Sequence, residues 1–175
     1  IMQRGRENTG WKRRLFDWAA RVARDSVRWK AYGEQAPLPL RFRWWIADRV
    51  VYSKIRDGVG GRIRAFISGG GPLSRELAEF FWAVGVPVYQ GYGLTETSPV
   101  VSANYPSANK VGTVGRPIAN VGVRIAEDGE IFVQGPCVMK GYYQKPDETR
   151  VIISADVWLA TGDIGLLDED GYLYV

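Results

Sequence analysis

Thr95 and Glu96, set in the run Gln90-Gly91-Tyr92-Gly93-Leu94-Thr95-Glu96-Thr97, are the side chains best suited to phosphate chemistry in this sequence. A threonine hydroxyl donates to a phosphate oxygen, and a hard carboxylate ligates Mg²⁺, which binds through one or two carboxylates together with substrate phosphates. Tyr92 offers a flat face on which a base can stack, an interaction worth about 1–3 kcal/mol. Gly91 and Gly93 beside it let a ligand approach the main chain, as do the glycines of Ser68-Gly69-Gly70-Gly71-Pro72. Taken alone, Gly-Tyr-Gly is also an ordinary turn and a loop glutamate is usually solvated. Asp163, in Thr161-Gly162-Asp163, follows an apolar run. One carboxylate can accept hydrogen bonds from both hydroxyls of a ribose, although in isolation such a residue reads as a turn-former.

These loops need elements to hold them. Arg62 to Ser68 alternates apolar and polar residues and ends in glycines, which predicts a strand. Ser74 offers an N-cap with Glu76 in the first turn, and Leu77, Ala78, Phe81 and Val84 follow at helical spacing before Gly85. Val86 to Tyr89 reads as a second strand. A helical crossover makes the two strands parallel, so both glycine-rich loops leave the same carboxyl edge, where open α/β sheets bind ligands.

Composition excludes several classes of function. The chain of 175 residues has 46% hydrophobic and 24% charged residues, as a soluble globular chain does, and no stretch reads as a membrane span or signal peptide. With no histidine and the single Cys137, neither a zinc site, a histidine-based catalytic set nor an internal disulfide can be built, and a free thiol fits a reducing, cytoplasmic setting. Residues 1–64 carry 16 Lys+Arg against 6 Asp+Glu, whereas residues 65–175 carry 7 against 13. The basic half is helical in pattern. Trp11, Leu15, Trp18, Val22 and Trp29 form one stripe among Lys12, Arg13, Arg14, Arg21, Arg24 and Arg28, which suits packing against the protein itself or, alternatively, peripheral contact with anionic lipid headgroups. No nucleic-acid-binding module accompanies the charge. Pro37-Leu38-Pro39-Leu40 is expected to break this region, with a second helix from about Arg41 to Arg56.

After Ser98-Pro99 the pattern changes to short apolar runs, Val111 to Val114, Val121 to Ile125 and Glu130 to Val133, with Glu127-Asp128-Gly129 as a hairpin turn. Asp147 is the expected N-cap of a short helix. Three segments are expected: a basic helical one over 1–60, a βαβ unit with the glycine-rich loops over 61–110, and a β-rich part over 111–175. The chain lacks an initiator methionine and ends inside an expected hairpin strand after Asp170-Gly171, so it reads as a piece of a longer protein.

Tyr92-Gly93-Leu94-Thr95-Glu96-Thr97 resembles the signature of the adenylate-forming synthetases, the superfamily of acyl-CoA synthetases, luciferases and peptide-synthetase adenylation domains. Ser68-Gly69-Gly70-Gly71-Pro72-Leu73, Gly112-Thr113-Val114-Gly115-Arg116-Pro117 and Trp158-Leu159-Ala160-Thr161-Gly162-Asp163-Ile164-Gly165 resemble the same family in the same order, as does Gly135 to Tyr143. Ala47 to Arg56 followed by Gly60-Gly61-Arg62-Ile63-Arg64 is similar to the long-chain fatty acyl-CoA synthetase branch.

The resemblance implies an α/β fold, part of the large N-terminal domain of an adenylate-forming enzyme: a parallel α/β layer and the start of a β-barrel. It implies that Gly70, Gly71, Pro72, Gln90, Gly91, Tyr92 and Gly93 border the adenine of ATP. It further implies that Thr95 contacts the α-phosphate, Glu96 ligates Mg²⁺ and Asp163 holds the ribose, with a long-chain fatty acid and coenzyme A as co-substrates. Gly71 stands where the family commonly has alanine. The family's β,γ-phosphate loop lies far upstream of the adenine loop and its catalytic lysine in a C-terminal domain, so these 175 residues are expected to hold half a nucleotide site. An aryl or medium-chain acid–CoA ligase, and a non-catalytic scaffold that kept the fold, are the alternatives.

Overall fold

The structure is a computed structural model and describes residues 10–175; residues 1–9 of the basic segment lie outside the described residues. The chain divides into two compact units, one formed by residues up to Phe66 together with Ser74–Val88, the other by Ile67–Leu73 and Tyr89–Val175.

The first unit is helical. Helix α1 (Trp11–Tyr32) buries Ala19, Val22, Ala23 and Ser26, positions one turn apart that form a single face. Gly33 closes it in the left-handed conformation (φ 73°). Of the expected stripe, Trp18 and Val22 belong to the core, whereas Trp11 stands 69% exposed in the first turn. The region breaks into two helical parts before the prolines, as expected, and the second part starts at Leu38 instead of Arg41. Pro37 is the N-cap of α2 (Leu38–Ala47) and Pro39 lies in its first turn, where a missing N–H leaves nothing unsatisfied. Helix α2 runs on through a π-helical turn, Asp48–Tyr52, into α3 (Ser53–Gly58). Tyr52 is buried and donates to the Ala19 carbonyl oxygen at 2.7 Å, and Trp44 Nε1 donates to the Ala83 carbonyl at 2.8 Å. Arg56 forks onto both Asp48 oxygens at 2.6 and 3.1 Å while Nη1 also reaches the Val84 carbonyl at 2.9 Å. Helix α4 (Arg75–Ala83) is capped by Ser74, whose side chain accepts from the Leu77 N–H, as the sequence predicts.

Strands β1 (Phe66–Ser68) and β2 (Val88–Tyr92) carry the chain between the units. The strand expected from Arg62 begins only at Phe66, because Arg62, Ile63 and Arg64 are exposed and their alternation has no core to face. The second strand begins and ends later than expected and takes in Gln90, Gly91 and Tyr92. The sheet order is β1-β2-β3-β4, with β3 (Ser102–Ala103) antiparallel to β2 and to β4 (Arg116–Pro117), so the expected parallel layer continues here with antiparallel strands.

In the second unit β5 (Gly122–Ile125) and β6 (Glu130–Gln134) form the expected hairpin around Glu127-Asp128-Gly129, and β7 (Leu159–Ile164) pairs antiparallel with β6. Val101, Ile131, Val133 and Leu173 are buried at its centre, with Tyr92, Val123 and Cys137 packed against them. The free thiol of Cys137 is half-buried. Val111–Val114 is a turn, not a strand. Thr113 N–H and Oγ1 both donate to the Lys110 carbonyl, and buried Asn104 donates from Nδ2 to the Thr113 carbonyl at 2.7 Å. Asp147 is not an N-cap: helix α5 (Pro146–Ile152) starts from Lys145, and Asp147 lies in its first turn, paired with Arg150. A final hairpin joins β8 (Leu166–Leu167) to β9 (Leu173–Tyr174).

Candidate functional site

Antiparallel pairing of β6 and β7 slips between Glu130 and Phe132: Glu130 faces Ile164, yet Phe132 faces Ala160. Extra residues on β7 therefore bulge out of the ladder around Thr161, Gly162 and Asp163. Gly162 takes φ 75°, its N–H is satisfied by Glu130 Oε1 at 2.8 Å, and Thr161 Oγ1 donates to the Ile131 carbonyl at 2.8 Å. Such bulges re-aim side chains, and here the result is a long-range pair: Tyr92 on β2 donates its phenolic hydrogen to Asp163 Oδ2 at 2.7 Å. Asp163 thus sits in a bulged strand rather than a free turn. Burial pushes the Tyr92 phenol well above its ordinary range; Thr161 works against the shift and the Asp163 carboxylate adds to it.

A cleft of about 500 Å³ opens at this pair, a size typical of small-molecule sites. Its walls are Gly70–Leu73 after β1, Gln90–Gly93 at the end of β2, the Gly112–Val114 turn, Asp163 and Val175. Eight of the residues expected to border a nucleotide, Gly70, Gly71, Pro72, Gln90, Gly91, Tyr92, Gly93 and Asp163, are gathered in it. Gly70 needs its φ of 77°, whereas at Gly71 an added Cβ meets nothing within 4 Å, so alanine fits there without rearrangement.

The acidic end of the loop points elsewhere. Glu96 lines a second cleft of about 370 Å³ with Leu94, Tyr142, Thr161 and Gly162, and Thr95 is exposed and borders neither cleft. Glu96 Oε1 accepts from the Tyr142 hydroxyl at 2.8 Å, which raises the Tyr142 pKa, with burial a smaller cause. Oε2 accepts no hydrogen bond from any described residue. Among the described residues no cluster of three or more acidic, histidine or cysteine side chains could hold a metal alone. A lone carboxylate such as Glu96 could serve a cation only where phosphate oxygens and water would supply the remaining ligands.

The turn between the clefts is held by Thr97 and Gly93, whose structural parts are not visible in the sequence. Buried Thr97 Oγ1 accepts from the Leu94 N–H at 2.9 Å and lies 3.0 and 2.9 Å from the Leu94 and Pro99 carbonyl oxygens. A Cβ at residue 93 would fall 1.6 Å from the Pro99 oxygen, so the crossing of these two backbones admits only glycine. Tyr142, Leu73 and the Gly112–Val114 turn are further residues of the clefts that sequence reasoning left without a role. Tyr142 lies in the Gly135–Tyr143 run, whose residue types suggest scaffolding, and only its nearness to Glu96 in space singles it out.

Residues 20–143 match the family model described as AMP-binding enzyme. The putative fatty-acid–CoA ligase fadD11 of Mycobacterium tuberculosis is 40% identical over 171 residues, 97% of this chain and 30% of the relative. The long-chain-fatty-acid–CoA ligase FadD15 of Mycobacterium bovis is 42% identical over 166 residues, 94% of this chain and 27% of the relative. The chain thus spans less than a third of the length of either. Among solved structures, o-succinylbenzoate coenzyme A synthetase (MenE) from Bacillus subtilis, in complex with ATP and magnesium ion, is similar with a TM-score of 0.57 and 36% identity over 64% of this chain and 26% of its own.

Proposed function

The chain belongs to the AMP-binding enzyme family, and on that premise we propose that the protein carrying it is a long-chain fatty-acid–CoA ligase that works through an acyl-adenylate. The observation that carries this reading is the cleft in which the bulge of β7 brings Asp163 to Tyr92 beside two glycine-rich loops. Adenine lies against the Gly70–Pro72 and Gln90–Gly93 main chain and the Tyr92 ring, and Asp163 accepts from the ribose hydroxyls. Asp163 Oδ2 already accepts from Tyr92, so the phenol fixes which way the carboxylate faces.

In the proposed reaction a fatty carboxylate oxygen attacks the α-phosphorus of ATP and pyrophosphate leaves. The thiol of coenzyme A, losing its proton, then attacks the acyl carbonyl carbon, forms the thioester and releases AMP. Thr95, exposed at the start of its turn, donates to an α-phosphate oxygen, and the Glu96 carboxylate is the residue that would hold Mg²⁺. When bound, Mg²⁺ offsets phosphate charge that builds during displacement. The rest is positioning: bound nucleotide and acid react as one assembly instead of by collision.

A long-chain acid is favoured over an aryl acid by the similarity to FadD15, a long-chain-fatty-acid–CoA ligase, the aryl alternative by that to the o-succinylbenzoate enzyme. Thioester formation by the gene product carrying this chain, measured across straight-chain acids of increasing length and o-succinylbenzoate, decides between them. A kcat/KM that rises with chain length is expected; turnover of the aryl acid alone overturns the assignment.

Peripheral contact with an anionic membrane surface belongs to the same proposal, on α2 in place of α1. No helix among the described residues is long and apolar enough to cross a membrane. Leu38, Phe42 and Trp45 lie along the outer side of α2, 76%, 61% and 55% exposed, flanked by Arg41 and Arg49, and α2 has no acidic residue. Exposed aromatics among arginines are the composition of an interfacial helix.

A further inference from the structure

Glu96 is held at two points by one short segment. The Met139 N–H donates to the Glu96 carbonyl oxygen at 2.8 Å, and the Tyr142 hydroxyl donates to Glu96 Oε1 at 2.8 Å. The first fixes the backbone of the turn and the second fixes the carboxylate. This segment is itself anchored: the Tyr142 N–H donates to Thr149 Oγ1 at 2.9 Å, and that hydroxyl donates to the carbonyl of Lys145, the N-cap of α5, at 2.8 Å. Gly141 makes the approach possible. With φ 141° and a would-be Cβ 2.7 Å from Thr149 Cγ2, any side chain there would push the tyrosine's backbone off Thr149.

A glutamate at a turn has three side-chain torsions to fix before it can ligate a cation, and rotamer freedom lost on binding subtracts from affinity. We propose that Tyr142 is a positioning residue for the adenylation step: it pins Oε1 of Glu96 and leaves Oε2 as the oxygen free to ligate the nucleotide-bound magnesium ion. The proposal rests on the nucleotide reading of this site and adds to it a residue that touches neither nucleotide nor metal. Tyr142 acts only through Glu96, so its effect must vanish when Glu96 cannot ligate. A tyrosine serving the fold alone would act through stability, equally with and without metal.

The test compares the intact gene product with Tyr142→Phe, Glu96→Gln and the double variant. Calorimetry follows binding of a non-hydrolysable ATP analogue at low and high Mg²⁺, with metal-free AMP as the control, alongside the Mg²⁺ dependence of pyrophosphate release and the thermal midpoint. Loss of a hydrogen bond to a charged acceptor corresponds to about a tenfold change in an equilibrium. Tyr142→Phe should therefore raise the Mg²⁺ concentration at half-saturation about tenfold, for binding and for rate, with AMP affinity within twofold. Adding Tyr142→Phe to Glu96→Gln should change nothing more. If Glu96→Gln shifts the Mg²⁺ dependence and Tyr142→Phe does not, the role of Tyr142 is overturned while the nucleotide reading stands. If Tyr142→Phe weakens AMP as much as the metal complex, or lowers the midpoint with additive effects in the double variant, its role is structural and the proposal fails. If Glu96→Gln leaves Mg²⁺ dependence unchanged, Glu96 is no ligand and both fall.

Discussion

Gly93→Ala puts a methyl group where main chain already stands. The added Cβ would lie 1.6 Å from the Pro99 carbonyl oxygen, 2.7 Å from its carbon and 3.1 Å from Val100 Cα, and backbone cannot swing aside as a side chain tip can. The stretch from Leu94 to Pro99 has to shift, which strains the three Thr97 Oγ1 contacts and the bond from the Val101 N–H to the Tyr92 carbonyl at 2.8 Å. Overpacking costs about 1–3 kcal/mol and each hydrogen bond lost from a buried group about 1 kcal/mol. A net loss of about 3 kcal/mol follows, or a fall of about 6–12 °C in the midpoint of a domain of 150–250 residues. AMP binding should weaken with it, because Gly93 borders the first cleft. Gly71→Ala is the control: it borders the same cleft, yet nothing lies within 4 Å of its added Cβ, so its stability should stay within about 0.5 kcal/mol of the parent. Scanning fluorimetry and AMP calorimetry on both variants check this. A Gly93→Ala protein as stable as the parent, or a Gly71→Ala protein equally damaged, would refute the steric reasoning.

Tyr92→Phe keeps the ring and removes only the oxygen that orients Asp163, so AMP should bind about tenfold more weakly; unchanged affinity removes the pair from the site. Lys110 holds the Asp168 carboxyl below the usual carboxylate range through their 2.7 Å contact. The stability this contributes is present above the unfolded carboxylate value of about 3.9 and is lost as pH falls through the lower folded value. Lys110→Met should accordingly flatten the thermal midpoint profile below about pH 4, whereas a profile displaced equally at every pH contradicts the linkage. Replacing Phe42 and Trp45 with serine should abolish sedimentation with anionic vesicles at low salt and leave thioester formation intact; undiminished sedimentation refers membrane contact to another surface.

Local chemistry carried the legible part of the fold. Ser74 with Glu76, the hairpin at Glu127-Asp128-Gly129 and the glycine turn after β1 each state their conformation within a few residues. Errors arose where tertiary partners decide. Arg62 to Ala65 alternates like a strand yet has no core to face, and the apolar pattern of Val111–Val114 is overridden by hydrogen bonds from Asn104 and Thr113. The break at Pro37 and Pro39 was legible, but both rings sit at the start of the second helix, which therefore begins at Leu38 instead of Arg41. Periodicity placed Trp11 on the α1 stripe without revealing that the core begins further along the helix. In the candidate site the glycine-rich loops were visible as motifs, and their gathering in one cleft with Asp163 follows from the β7 bulge. The pairing of Tyr92 with Asp163, and of Glu96 with Tyr142, joins residues far apart in the chain, and no spacing rule encodes either.

The central claim is that the cleft between the β2 loop and the β7 bulge holds the adenosine half of a nucleotide. Calorimetric titration of AMP into the gene product and its Asp163→Ala variant tests it most directly, since AMP needs neither metal nor the outer phosphates. Loss of the carboxylate leaves ribose hydroxyls and the Tyr92 phenol without their acceptor, which corresponds to about 1–3 kcal/mol, or a weakening of about 5–150-fold. Fatty acid binding should be unchanged. Equal AMP affinity in the two proteins would contradict the account.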